Sequence, residues 1–266
     1  MMNIYKHEIH ANFKTTLIWI FSLSSIAAVM MAFYPMFKND TATFIKLMEN
    51  IPSYMKSMLG FNVLSFTTSV GYYSFAFIYS ILFGAIQAMN LGIGIVSKEE
   101  RERTADFILT KPVSREKILT SKLLAVLTIF IVTNIVYSAV SFLIVKSMTD
   151  GSFAARKFVL INASLFFSQL IFFSIGLVVS VAAKKIKAVL PVSLGLVFAL
   201  YAISAFAVTS KSDKLRYITP FQYFKTDYIL MNSKYETVFV VISAAIVIAG
   251  ISAGYILFKH RDVHSV

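Results

Sequence analysis

The chain has 266 residues, 58% of them hydrophobic, and a mean hydropathy of +0.74; soluble domains rarely pass about half apolar residues, so an ordinary globular domain is excluded and the composition reads as an integral membrane protein. The formal charge of +12 is spread over short segments between apolar runs, which argues against nucleic acid and for membrane topology and anionic head groups. The chain has no Cys, so disulfides, thiolate metal sites and Cys nucleophiles are excluded.

At the N-terminus, Met2, Tyr5, Ile9 and Phe13 recur at helical spacing, with Lys6, Glu8, His10 and Lys14 on other faces. This is the pattern of an amphipathic helix lying along a membrane surface. A spanning helix needs about 20 mostly apolar residues, and six stretches qualify: 17–37, 72–96, 123–145, 158–183, 188–209 and 237–258. None holds Asp, Glu, Lys, Arg or His. The first is longer than a signal-peptide core and no clear A-x-A site follows, so it reads as a retained helix. The expected fold is therefore an all-α membrane domain of six spans occupying residues 1–266. Between the first two spans, Phe44, Leu47, Met48, Ile51, Met55 and Met58 form a second stripe, broken by Pro52 and ended by Gly60. It reads equally as an external amphipathic element or a packed loop.

Six spans place both termini on one side. That side, with loops 97–122 and 184–187, carries fourteen Lys and Arg against eleven in the longer opposite loops. The denser positive charge predicts that the termini are cytoplasmic, in the plasma membrane.

The loop after the second span concentrates charge. Helix formers dominate Ser97–Thr104, so the second helix is expected to run on past the membrane. Ala105, Phe107, Ile108 and Leu109 make an apolar knob, and Pro112 disfavours helix at Lys111. Ser114 is a candidate N-cap for a helix from Arg115 to Lys122, with Val113 and Ile118 spaced as a hydrophobic staple. The loop reads as a stiff elbow with charge at its base and an apolar tip. Anchoring the helix ends would need only Lys and Arg. Glu99, Glu100 and the knob suit docking to a soluble partner.

The stretch "EERERTADFILTKPVSREKILTSKLLA" resembles the cytoplasmic loop of ABC-2 type transporter permeases, whose pattern runs E-x-x-x-G-T, a short apolar stretch, x-P-[VI]-S-R and a Lys opening the third span. Glu99 or Glu100, Thr104, Leu109, Pro112, Ser114, Arg115 and Lys122 match, while Arg103 stands where the family usually has Gly. "NIPSYMKSMLG" and "LRYITPFQYFKTDYIL" resemble the family's first and last outer segments. The resemblance implies a non-catalytic, transmembrane subunit that works as a homo- or heterodimer. Its elbow would be a coupling helix docked on a cytoplasmic ATPase that binds ATP and Mg. Contacts to that ATPase would come from Glu99, Glu100, Arg101, Thr104, Phe107, Ile108, Leu109, Pro112, Ser114 and Arg115, with Lys184, Lys185 and Lys187 as a second contact.

The residues themselves agree on the need for an external motor. No G-x-x-x-x-G-K-[ST] is present to cradle nucleotide phosphates. The six stretches hold no ionisable Asp, Glu, Lys, Arg or His for ion coupling. The four His, at 7, 10, 260 and 264, have helical spacings that could suit a metal, but with no carboxylate-rich pocket nearby they read as solvated or facing head groups, so no metal or cofactor of the chain's own is expected.

By helical spacing, Tyr79, Phe83, Gln87 and Asn90 share a face of the second span, and Ser193, Tyr201 and Ser204 one of the fifth. The resemblance places these spans near the central path, where an uncharged aromatic-amide face suits a hydrophobic or amphipathic cargo such as an antimicrobial peptide, drug or lipid. The bland reading of Gln and Asn is bonding to a neighbouring helix, and Gly250 and Gly254 read as packing within the subunit. An ATPase-coupled sensor or assembly component would look alike in sequence. A membrane-embedded enzyme would need a His and carboxylate cluster that is not evident.

Overall fold

In a lipid interior each backbone N–H needs a partner within its own segment, so apolar runs of spanning length fold as helices. The computed structural model describes residues 2–39, 51–52, 68–101, 114–149, 153–183, 186–210 and 212–260. Among them every regular element is helical: α1 (Met2–Ala32), α2 (Tyr34–Asn39), α3 (Ser69–Arg101), α4 (Arg115–Ser147), α5 (Ala155–Ala182), α6 (Val189–Thr209), α7 (Asp213–Arg216), a 3₁₀ turn (Pro220–Gln222), α8 (Thr226–Asn232) and α9 (Thr237–His260). Six of these are long and apolar enough to cross a membrane: α1 with α2, α3, α4, α5, α6 and α9.

The surface stretch Met2–Phe13 continues into the first span without a break, because no Gly or Pro interrupts the sequence before Ala32. Pro35 has no N–H to donate, and the ladder turns at Phe33 before resuming as α2. Thr68 opens α3 by accepting from the Gly71 N–H at 3.0 Å. As expected, α3 runs past Val96 and reaches Arg101. Most of the outer stripe Phe44–Met58, and Val113 of the staple, lie outside the described residues.

Burial is uneven. The apolar windows of α3 and α5 are 67% and 61% buried within the subunit, against 11% for α9, so α3 and α5 form the axis. α1 and α4 pack together on one side, α9 lies on α5, and α6 lies on α3. Small residues let the central backbones meet: a Cβ on Gly92 would fall 2.4 Å from the Phe173 carbonyl oxygen, and one on Gly176 2.8 Å from that of Met89. Between lipid-facing helices such close approach supplies the van der Waals contact that hydrophobicity cannot. On α9, Gly250 and Gly254 abut Ser174 and Leu177 of α5, so that pair packs within the subunit, as read from sequence.

Polar side chains join the helices along a buried seam. The Gln169 Nε2 donates to Gln87 Oε1 at 3.0 Å, and Asn134 Nδ2 donates to Gln169 Oε1 at 2.6 Å. Further along, the Tyr73 hydroxyl lies 2.9 Å from Asn162 Oδ1 and 3.0 Å from the Tyr137 hydroxyl, which donates to Ser80 at 2.8 Å. Each bond contributes on the order of 0.6 kcal/mol in a membrane, but together they set the register of α3, α4 and α5.

Overpacking a tight site costs about 1–3 kcal/mol. Gly92→Ala should therefore lower the melting temperature of the detergent-solubilised protein clearly, whereas Gly195→Ala, with nothing within 4 Å of its Cβ position, should leave it unchanged. Equal melting curves for the two variants would contradict the axis described above.

Candidate functional site

The elbow's base is built from both of its arms. On the incoming arm, Ser97 bonds back to the Ile93 carbonyl at 2.6 Å. On the outgoing arm, Ser114 is in extended conformation and its side chain accepts from the Lys117 N–H at 3.4 Å, the N-cap expected there. About two turns further, the Lys122 ammonium, 2% exposed, donates to the Ile95 carbonyl at 2.7 Å. This bond cross-links the two arms across 27 residues of chain.

The same ammonium lies 3.5 Å from Glu8 Oε1 of α1. On the far side of α4, Thr120 and Tyr255 share a hydrogen bond of 2.7 Å, Glu116 pairs with Lys259 at 3.5 Å, and Arg115 Nη1 donates to the Lys259 carbonyl at 3.3 Å. The elbow's outgoing arm is thus fastened to the start of α1 and the end of α9. Both chain ends of the described bundle sit on the elbow side.

The candidate elbow residues divide by where they fall. Glu99, Glu100 and Arg101 form the last turn of α3, and Ser114 and Arg115 open α4. Thr104, Phe107, Ile108, Leu109 and Pro112, and the basic pair Lys184 and Lys185, lie outside the described residues. Lys187 is described and exposed, next to buried Ile186.

The candidate path residues come together in part: Asn90 meets Ser193 and Tyr79 lies near Tyr201 across α3 and α6, while Gln87 turns elsewhere. Gln87 is fully buried and turned into the seam, donating to Thr133 at 3.4 Å. Phe83 is 37% exposed, and Tyr79 packs edge-on against Phe75. Asn90 faces α6, where the Ser193 hydroxyl lies 3.5 Å from its Oδ1. Beside it a cavity of about 230 Å³ opens between α1, α3, α4 and the first residue of α6, lined by Glu8, Asn12, Thr15, Asn90, Gly94 and Val189 among others.

Tyr201 and Ser204, on the other half of α6, are engaged by the segment that follows it. Thr219 donates to the Leu200 carbonyl at 2.9 Å, Gln222 Nε2 donates to Ser204 at 2.7 Å, and Phe221 wedges between Phe172 and Tyr201 with ring centroids 4.8 and 5.5 Å apart. Leu200 lies nine residues inside α6, so at 1.5 Å per residue this turn re-enters by about 14 Å. A paired Arg216 and Glu236 hold its outer end, with the guanidinium 4.1 Å over the Phe239 ring. Burial, and Arg216 nearby, push the Lys225 ammonium below its ordinary pKa.

Reasoning from sequence did not single out Glu8. The signal was present: Tyr5, Glu8, Asn12 and Thr15 recur at helical spacing, so α1 has a polar stripe beside its apolar one. In the structure Tyr5 and Glu8 of the polar stripe face protein, with Tyr5 bonded to Thr128 at 2.9 Å, while Thr15, Met2 and Phe13 are exposed. Among the described residues no three His, Asp or Glu gather as a metal site. The profile of a family described as "ABC-2 family transporter protein" matches residues 2–263. No curated protein gives a significant match.

Removing one partner of a buried ion pair costs about 3–5 kcal/mol, because the other charge is left uncompensated. Lys122→Met should therefore lower the melting temperature sharply. The double variant Glu8→Gln/Lys122→Met, with neither charge, should recover most of the loss. A double variant no more stable than Lys122→Met would show that the pair is not what holds α1 to the elbow.

Proposed function

The chain belongs to the ABC-2 transporter family, and from that premise we propose that it is the permease of an exporter driven by ATP and Mg bound to a separate cytoplasmic subunit. The family makes it a multi-pass membrane subunit of an ABC transporter. The finer reading is ours. It sits in the plasma membrane with both termini cytoplasmic, works as a dimer of permease chains, and moves a hydrophobic or amphipathic cargo outward.

The observation that carries this reading is the Lys122 cross-link. A lever works only if its base is stiff, and Lys122 ties the end of α3 to the start of α4 through the Ile95 carbonyl. Displacement of the elbow by a closing ATPase is then transmitted to α3 and through its glycine contact to α5. The elbow side also carries the denser positive charge, as a cytoplasmic face should.

In the docked elbow, Phe107, Ile108 and Leu109 fill a groove of the ATPase, while Glu99, Glu100, Arg101, Thr104, Pro112, Ser114 and Arg115 set orientation and shape. Lys184, Lys185 and Lys187 make a smaller second contact. Buried apolar anchors generally carry more binding energy than charges at a rim. Phe107→Ala should cut co-purification of the ATPase and ATP-dependent export by about tenfold or more, and Arg101→Ala by only a few-fold. Co-purification from native membranes and export from reconstituted vesicles measure the two. The reverse order would refute this division of roles, and an intact chain with no ATPase attached would refute the permease reading.

A further inference from the structure

We propose that the cavity between α1, α3 and the start of α6 binds the cationic head of an amphiphile, with the Glu8 carboxylate as its counter-charge. The proposal rests on the permease reading and narrows its cargo class. The sequence shows only uncharged residues on the candidate path. The fold brings a carboxylate beside them, since Glu8, Asn12 and Thr15 line the same cavity as Asn90.

The lining favours a cation over a neutral head. Glu8 is buried, yet its contacts are long: Lys122 Nζ lies 3.5 Å from Oε1, and Asn12 Nδ2 lies 3.5 Å from Oε2. Charge-assisted bonds to a carboxylate run at about 2.7–2.9 Å. The Lys122 ammonium makes its close bond to the Ile95 carbonyl, which leaves Glu8 with acceptor capacity for a nearer donor. The Lys122 pairing is a loose one, so a second cation can approach the carboxylate more closely.

Size and walls fit a head group rather than a whole peptide. A volume of about 230 Å³ would hold several waters at about 30 Å³ each, or one ammonium, guanidinium or phosphonium group with its first methylenes. Leu91, Val126 and Val189 supply the apolar wall. Leu190, next to Val189, is 50% exposed, so a hydrocarbon tail has an apolar surface to follow outward. The α3 wall runs from Asn90 to Ile95, immediately before the elbow. A stroke that moves Ile95 carries the Lys122 ammonium with it and so alters the charge facing Glu8.

The test uses the full chain, affinity-purified from native membranes into phosphatidylcholine nanodiscs, with rhodamine 6G as the probe. Fluorescence anisotropy should show saturable binding, displaced by dodecyltrimethylammonium and not by dodecyl sulfate. Glu8→Gln and Gly94→Leu should each weaken binding about tenfold or more, which corresponds to about 1.4 kcal/mol. Gly94→Leu leaves Glu8 and Lys122 in place, and a Cβ there meets only Val189, at 4.0 Å; it decides the matter if Glu8→Gln fails to fold. Gly195→Leu should bind like the parent chain. Unchanged affinity in Gly94→Leu, or equal displacement by dodecyl sulfate, overturns the proposal. Nucleotide-binding subunit retained in the same preparation separates the two readings. With it present and no cation selectivity, the cavity assignment falls and the permease reading stands. With it absent the permease reading falls, and the binding data still decide the cavity.

Discussion

One ammonium group organises the elbow end of this molecule. Lys122 opens the apolar part of α4 but points back into the bundle, where it meets a backbone carbonyl of α3 and a carboxylate of α1. An amine buried in apolar surroundings is tolerated only when it is paired and hydrogen-bonded. That requirement joins three helices at one point. The N-terminal segment, which is only an amphipathic pattern in isolation, is joined to the start of α4 because Glu8 answers that charge.

The rest of the bundle follows the logic of helices in lipid. Apolar side chains gain nothing by leaving lipid for one another, so specificity comes from close backbone contact and from hydrogen bonds. Gly92 and Gly176 provide the first, and the Gln87, Gln169 and Asn134 amides with the Tyr73, Tyr137 and Asn162 cluster provide the second. These devices lie on α3 and α5, the two most buried helices, and on the face of α4 that meets them. The arrangement leaves α6 and α9 with large exposed apolar faces, and the half of α6 that ends at Thr209 meets the aromatic turn around Phe221.

Much of the architecture was legible in the residues. Apolar run length predicted six helices because an uninterrupted apolar run of about 20 residues satisfies its backbone in lipid as a helix, and a helix start follows the local signal where the sequence carries one. Ser114 is the clearest case: an N-cap needs only its own side chain and the next turn, and the sequence contains both. The first helix was the exception. Its start depends on where the membrane surface lies, and residues 2–32 contain no breaker to mark that place.

The site was less legible, for a physical reason. Helical spacing shows which residues share a face but not what the face meets. Tyr79, Phe83, Gln87 and Asn90 satisfy one spacing, yet Gln87 is turned into the seam and Asn90 toward α6. Glu8 and Asn90 are 82 residues apart, and no local pattern relates them. By itself the sequence determined that this is a six-helix membrane subunit with a charged elbow and no nucleotide-binding loop, because composition, run length and motif are properties of contiguous residues. Only the tertiary structure decided that a carboxylate from the first turns of α1 enters the bundle, pairs with Lys122 and lines a cavity beside Asn90, because that depends on which helix faces pack together.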